Sequence, residues 1–117
     1  PEGTPRVKVE NTKSHGAAVI LDGEGLSEAG ARAERMAAED GLVLVHPYDD
    51  PAIMAGQGTV ALEMLAERPD LDTLVAPIGG GGLISGIAIA AKAQKPSIEV
   101  IGVEAALYPS FHNAIHG

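Results

Sequence analysis

The sequence predicts an α/β fold: a parallel sheet with helices on both faces. Three observations lead there. Short apolar runs alternate with longer Ala-rich, amphipathic stretches along the whole chain. Crossovers long enough for a helix make parallel strand pairing the natural outcome. The composition agrees, since 45% of residues are apolar and only 3% aromatic, which suits buried aliphatic strands covered by Ala-rich helices. The two irregular loops, His46-Pro47-Tyr48-Asp49-Asp50 and Gly79-Gly80-Gly81-Gly82, both follow strand-like runs. Ligands of such sheets bind beyond the carboxyl ends of the strands.

Thr4-Pro5 reads as an N-cap with proline at the first helical position, opening a helix through Lys13 that stops at Gly16. Ala17–Leu21 is a compact apolar run bounded by Asp22-Gly23, expected to be a strand buried on both faces. Ser27 to Asp40 is rich in Ala, Glu and Arg and ends at Gly41, a helix with a glycine C-terminus. Leu42–Val45 is expected to be a second buried strand, broken by the two prolines and two aspartates that follow. Thr59 to Arg68 has helical spacing and stops at Pro69-Asp70; Asp49-Asp50 are candidate caps for a helix after Pro51. A third strand spans Leu71–Pro77, a helix Leu83–Gln94, a fourth strand Ile98–Val103, and a last helix Pro109–His116.

Charge and composition exclude several functions. Sixteen acidic against eight basic residues give a net charge of -8, which offers no general field for nucleic acid or an anionic membrane. Any anion must be captured locally. Cysteine is absent, so disulfides, thiolate metal sites and a cysteine nucleophile are excluded. No apolar run approaches the roughly 18 residues that span a bilayer, and the N-terminus lacks a basic-then-apolar leader. The expectation is a cytoplasmic protein. A chain that opens on Pro1 without Met is also expected to be a processed product or an internal piece.

The glycine run raises the sharpest question. Glycine loses more backbone freedom on ordering than any other residue, so four in succession carry a large entropic penalty. A strand that turns into a helix through Gly79–Gly82 presents N–H groups unobstructed by Cβ beside the positive end of a helix dipole. Such a turn is an anion cup. The bland alternative is a turn that lets a helix pack closely on a strand. The mononucleotide pattern fails because Ile87 and Ala88 follow Gly86, and the dinucleotide pattern fails at Ile84. Residue chemistry alone stops at a phosphorylated ligand held by backbone.

HPYDDPAIMAGQGTVALEML (His46 to Leu65) and TLVAPIGGGGLISGIAIAAKAQKPSIEVIGVEA (Thr73 to Ala105) resemble the threonine dehydratase and serine racemase group of fold-type II enzymes, which use pyridoxal phosphate. The opening PEGTPRVKVENTKSHGAAVIL resembles the same group just upstream. The resemblance implies a tryptophan synthase β-like fold, with residues 1–49 belonging to the small domain and 50–117 to the central part of the large, cofactor-phosphate-binding domain. It implies that Gly79, Gly80, Gly81, Gly82 and the N–H of Leu83 cradle the cofactor phosphate. The implied reaction removes the α-proton and β-hydroxyl of threonine or serine, giving a 2-oxo acid and ammonia. It needs a lysine, which the group supplies from an S-x-K-x-R-G-A type motif that this sequence does not contain. No catalytic residue is therefore assigned. Lys8, Lys13, Lys92 and Lys95 read as solvated surface residues, and the chain by itself is expected to be inactive.

Glu104 stands where serine racemase-like members place a divalent-cation ligand, but Ser110 occupies the position of the second carboxylate. A solvated strand-end carboxylate is the plainer reading. His46 reads as a hydrogen-bonded structural residue, Tyr48 and Asp49 as possible lining of the cofactor site, and Gly56 and Gly58 as points of close backbone approach. His112 and His116 have chelating spacing without an acidic partner. Competing functions are a serine racemase or 3-hydroxyaspartate dehydratase, a non-catalytic domain that binds a phosphate-bearing ligand or pairs with a complementary chain, and a nucleotide-binding Rossmann half; the partner expected is a complementary chain or a second copy in a homodimer. The substrate expected for the enzyme readings is a small amino acid.

Overall fold

A computed structural model describes residues 1–116. They divide into two compact units, Pro1–Leu44 and a second beginning at Val45.

The first unit contains α1 (Arg6–Ser14) and α2 (Leu26–Asp40). Helix α1 starts after Pro5, and Thr4 does not cap it: the Thr4 hydroxyl donates to the Pro1 carbonyl at 2.7 Å. Gly16, at φ 84°, follows the helix in the left-handed conformation that glycine adopts without a Cβ clash. Helix α2 matches its expected span within a residue. Glu28 reaches back to the N–H groups of Glu24 and Gly25, supplying acceptors that the first turn lacks. Gly41 ends the helix at φ 65°, with its N–H on the Ala37 carbonyl.

The two strands expected in this region are not formed among the described residues. Ala17–Leu21 and Leu42–Val45 join no ladder, and Ile20 and Val43 remain 55% and 89% exposed. Apolar β-branched composition fits a residue to a pleated, covered surface, but a strand exists only against a partner.

The second unit holds α3 (Pro51–Glu67), β1 (Thr73–Pro77), α4 (Gly82–Gln94), β2 (Glu99–Val103) and α5 (Ser110–His116). Strands β1 and β2 pair in parallel, with Thr73 opposite Glu99 and Pro77 opposite Val103. Helix α4 is the crossover between them, as parallel pairing requires. Buried Ala61, Leu65, Leu74, Ala76, Ile87, Ala91 and Ile98 form the core. Leu74 and Ala76 point into it from one face of β1, while Val75 between them is 65% exposed, the alternation of a strand covered on one side.

Helix α3 begins at Pro51, well before the expected Thr59. Asp50 caps it, accepting from the N–H groups of Ala52 at 2.7 Å and Ile53 at 3.3 Å, and Pro51 at the first position loses no hydrogen bond. Gly56 and Gly58 thus lie inside the helix. A Cβ on Gly58 would meet the Gly86 carbonyl of α4 at 3.0 Å, and one on Gly86 would meet the Gly58 nitrogen at 2.7 Å. The two helices touch backbone to backbone there, so the expected close approach at Gly58 is a helix crossing. Gly56 has nothing within 4 Å of its Cβ direction.

Lys95 is not the solvated residue expected. It is half-buried, and its ammonium donates to the carbonyls of Leu71 at 2.6 Å and Pro69 at 3.4 Å. Three rotatable donors on a flexible stem let one lysine bind two carbonyls of the α3–β1 connection from the end of α4.

Candidate phosphate site at the glycine turn

Strand β1 ends at Pro77, and Ile78 adds one more link by donating to the Val103 carbonyl at 2.8 Å. The chain then passes through Gly79–Gly81 into α4. Gly81 is the N-cap residue at φ 91°, and Ser85 closes the first helical bond onto its carbonyl at 3.0 Å. Among the described residues, none of the N–H groups from Gly79 through Ile84 donates to a protein acceptor. A helix start always leaves such donors over. Here the glycines preceding the helix add more.

The turn borders a cleft of about 490 Å³, lined by Pro47, Tyr48, Ile53, Gln57, Pro77, Ile78, Gly79–Gly82 and Leu83. No lysine is among these residues. Tyr48 packs on the glycines: a Cβ on Gly80 would run into its ring, and one on Gly82 would lie 2.7 Å from its carbonyl oxygen. Gly79 differs, because a Cβ there meets nothing within 4 Å and its φ is not left-handed.

His46 holds the Tyr48 segment. Its Nδ1 accepts from the N–H groups of Asp49 at 2.7 Å and Tyr48 at 3.3 Å, and its ring stands edge-on to Tyr48 with centroids 4.8 Å apart. This is the hydrogen-bonded structural histidine expected, and the acceptor role requires Nδ1 to carry no proton. Asp49 contributes its backbone to that turn and does not line the cleft.

The donor set fits a phosphate. Aligned N–H groups at a helix N-terminus, without cationic side chains, bind a dianion through backbone dipoles and charge-assisted hydrogen bonds. The full chain, residues 1–117, matches the family described as pyridoxal-phosphate dependent enzyme. The chain belongs to that family.

The fold-type II assignment follows from it, together with the fold of its structural relatives. Similar proteins include the L-threonine ammonia-lyase of Geobacter sulfurreducens, 50% identical over 115 residues, covering 98% of this chain and 29% of that protein. Maize serine racemase superposes with a TM-score of 0.84 at 43% identity, over 89% of this chain and 32% of that one. The processed form of threonine deaminase isoform 2 from Solanum lycopersicum gives a TM-score of 0.83 at 38% identity, over 89% and 29%. The chain thus spans about 30% of the length of the relatives it matches.

Glu104 lies just after β2, and both its oxygens are engaged: Oε1 accepts from Phe111 N–H and Oε2 from His112 N–H, each at 2.8 Å. It caps α5. Among the described residues no cluster of three or more His, Asp or Glu gathers for a metal ion. The rings of His112 and His116 lie 4.5 Å apart between centroids on the short α5, tilted by 52° to each other.

The ionisable pair Arg68–Asp70 lies away from the cleft, at the end of α3. The Arg68 guanidinium holds the Asp70 carboxyl below its usual range, helped by Asp70's own N–H and the field of Lys95, and Asp70 raises Arg68 in return. The bond is bidentate, at 2.9 and 2.8 Å, between exposed side chains.

Tyr48 and the glycine turn were legible in the sequence separately. Phe111 was not assigned to the site, and no local signal links it to Gly81, thirty positions earlier. A Cβ on Gly81 would nevertheless lie 2.9 Å from Phe111 Cε2.

Proposed function

We propose that the protein containing this chain is a pyridoxal-phosphate-dependent ammonia-lyase that converts L-threonine or L-serine to a 2-oxo acid and ammonia, with Gly79–Gly82 and Leu83 holding the cofactor phosphate. The run of unpaired N–H groups from Gly79 to Ile84 at the start of α4 carries this reading. The names of the relatives support the substrate class. The cofactor supplies an electron sink for the carbanion formed at the substrate α-carbon. This chain's part is to bind and orient: the turn fixes the phosphate by backbone donors, and Tyr48, Ile53 and Gln57 wall the adjoining cleft. The lysine that the chemistry needs is taken from elsewhere in the protein.

On this reading residues 1–49 belong to the small domain and 50–117 to the large one; the compact units divide five residues earlier in sequence, between Leu44 and Val45. No described helix is long and apolar enough to cross a membrane, which is consistent with cytoplasmic metabolism. We assign Glu104 to capping rather than to a cation, because both its oxygens already accept backbone hydrogen bonds.

Gly79→Ala tests the cradle. The added methyl meets no atom of the described residues within 4 Å, so a loss of cofactor affinity reports the ligand itself. We expect weaker pyridoxal phosphate binding with an unchanged melting temperature of the cofactor-free protein. Wild-type affinity in this variant would remove the reading. A racemase is the second reading, favoured by the likeness to maize serine racemase. Chiral chromatography after incubation with L-serine separates them: D-serine marks a racemase, pyruvate a lyase.

A further inference from the structure

We propose that Phe111 and Glu104 form a brace that fixes the conformation of the glycine turn, making both of them positioning residues for the phosphate. The inference rests on the reading of Gly79–Leu83 as the cradle. The chain has only three aromatic residues of the Phe, Tyr and Trp type, and two of them, Tyr48 and Phe111, pack on this turn.

The physical need is specific. Gly81 is the hinge between strand and helix, at φ 91°, and its two flanking peptide planes set the directions in which the neighbouring N–H groups point. A residue without a Cβ rotates there with little resistance, so the turn would sample many orientations. Phe111 removes that freedom from outside. Its ring occupies the space where a Gly81 Cβ would stand, with Cζ and Cε2 the nearest atoms, and both Gly81 and Gly82 are buried. Tyr48 does the same for Gly80 with its ring, and its main chain fills the corresponding space at Gly82. The constraint that glycine lacks is thereby supplied by aromatic neighbours.

Phe111 needs a fixed position of its own. It sits in the first turn of α5, a helix of seven residues, too short to be stable by propensity. Glu104 supplies the anchor. Its two carboxylate oxygens take the Phe111 and His112 N–H groups at 2.8 Å, charge-assisted bonds at the positive end of the helix. Glu104 is half-buried, and it follows β2, whose last residue Val103 accepts the Ile78 N–H at the start of the turn. The brace therefore runs from the end of β2 through Glu104 and Phe111 back to Gly81. Glu104 acts only through Phe111.

The test uses the full-length holoprotein. Pyridoxal phosphate dissociation constants and the phosphorus-31 chemical shift of the bound phosphate are measured for Phe111→Ala, Phe111→Leu, Glu104→Ala, Glu104→Gln and the double alanine variant. The milder Leu and Gln variants keep the question open to measurement should an alanine variant fold poorly. We expect Phe111→Ala to weaken binding on the order of tenfold, as for residues that orient a site from outside it, and to shift the phosphorus resonance. Phe111→Leu recovers part of both. Glu104→Ala acts in the same direction, Glu104→Gln less, and the double variant is no weaker than Phe111→Ala alone, since one residue works through the other.

Wild-type affinity and resonance in Phe111→Ala would overturn the brace. So would effects that multiply in the double variant. A loss confined to the Glu104 variants and dependent on added magnesium would also overturn it, by showing that the carboxylate serves a cation. Gly79→Ala keeps the two readings apart. If it weakens cofactor binding while the Phe111 and Glu104 variants do not, the cradle stands and the brace falls. If it too is silent, the cradle reading fails and takes the brace with it.

Discussion

The two units of the chain are built from similar sequence ingredients and reach different ends. Both contain Ala-rich helices and aliphatic runs of strand-forming composition. In the unit that begins at Val45, two such runs pair in parallel, and Ala61, Leu65, Ile87, Ala91 and Ile98 form a buried apolar core with Leu74 and Ala76 of β1. In Pro1–Leu44 the helices bury no residue, and the apolar runs Ala17–Leu21 and Leu42–Leu44 lie open. Helices carry their hydrogen bonds within themselves and need only caps and a modest face, whereas strands need a neighbour. Local signals therefore succeed in both units for helices, and only where a partner exists for strands.

Substitutions sharpen this contrast. Ile98→Ala, at the one large side chain that is fully buried among the described residues, should destabilise the second unit by about 3 kcal/mol in chemical denaturation. Gly86→Ala should cost about 2 kcal/mol, because its methyl would meet main-chain atoms of α3 that cannot rotate away. Asp50→Ala removes the α3 cap and should cost about 1 kcal/mol, with faster amide exchange at Ala52 and Ile53. Val43→Thr, in the open run of the first unit, should stay within about 0.5 kcal/mol in this chain. A much larger cost of Val43→Thr in the full-length protein would place a ladder partner for that run elsewhere in the protein.

The smallest effect concerns acid. The Asp70 carboxyl is held below its unfolded value, so its stabilisation is complete above about pH 4 and is lost as pH falls through the lower folded value. Asp70→Asn should leave stability at neutral pH nearly unchanged, as for other exposed ion pairs, and flatten the acid limb of a pH titration. A steeper limb in the variant would contradict the assignment.

Legibility in sequence follows the same division. Helices α2 and α4, the parallel pair β1–β2 and the glycine turn were readable because caps, periodicity and glycine spacing are local. The start of α3 was read in two ways: helical spacing was recognised only from Thr59, eight residues late, because the prolines and aspartates of the loop looked like breakers, while Asp49-Asp50 were also read as caps for a helix after Pro51, and Asp50 is that cap. The open strands failed because burial is not encoded in the run itself. Lys95 on the Leu71 carbonyl and Phe111 on Gly81 are long-range encounters with no periodic trace. The site was thus readable in its donors and, among its supports, in Tyr48 and His46 but not in Phe111.

The contact of Gly58 with Gly86 bears on how this protein can change over generations. A methyl on Gly86 would run into the Met54 carbonyl and lie 2.7 Å from the Gly58 nitrogen, whereas one on Gly58 would be 3.0 Å from the Gly86 carbonyl, a contact that a small shift relieves. At Gly86 no smaller neighbour helps, because the nearest obstacle is main chain rather than a side chain that could be traded for a smaller one. Gly86 should therefore be the fixed letter of the pair, escaping only when an insertion, deletion or tilt moves one whole helix, while drift at Gly58 meets a softer limit.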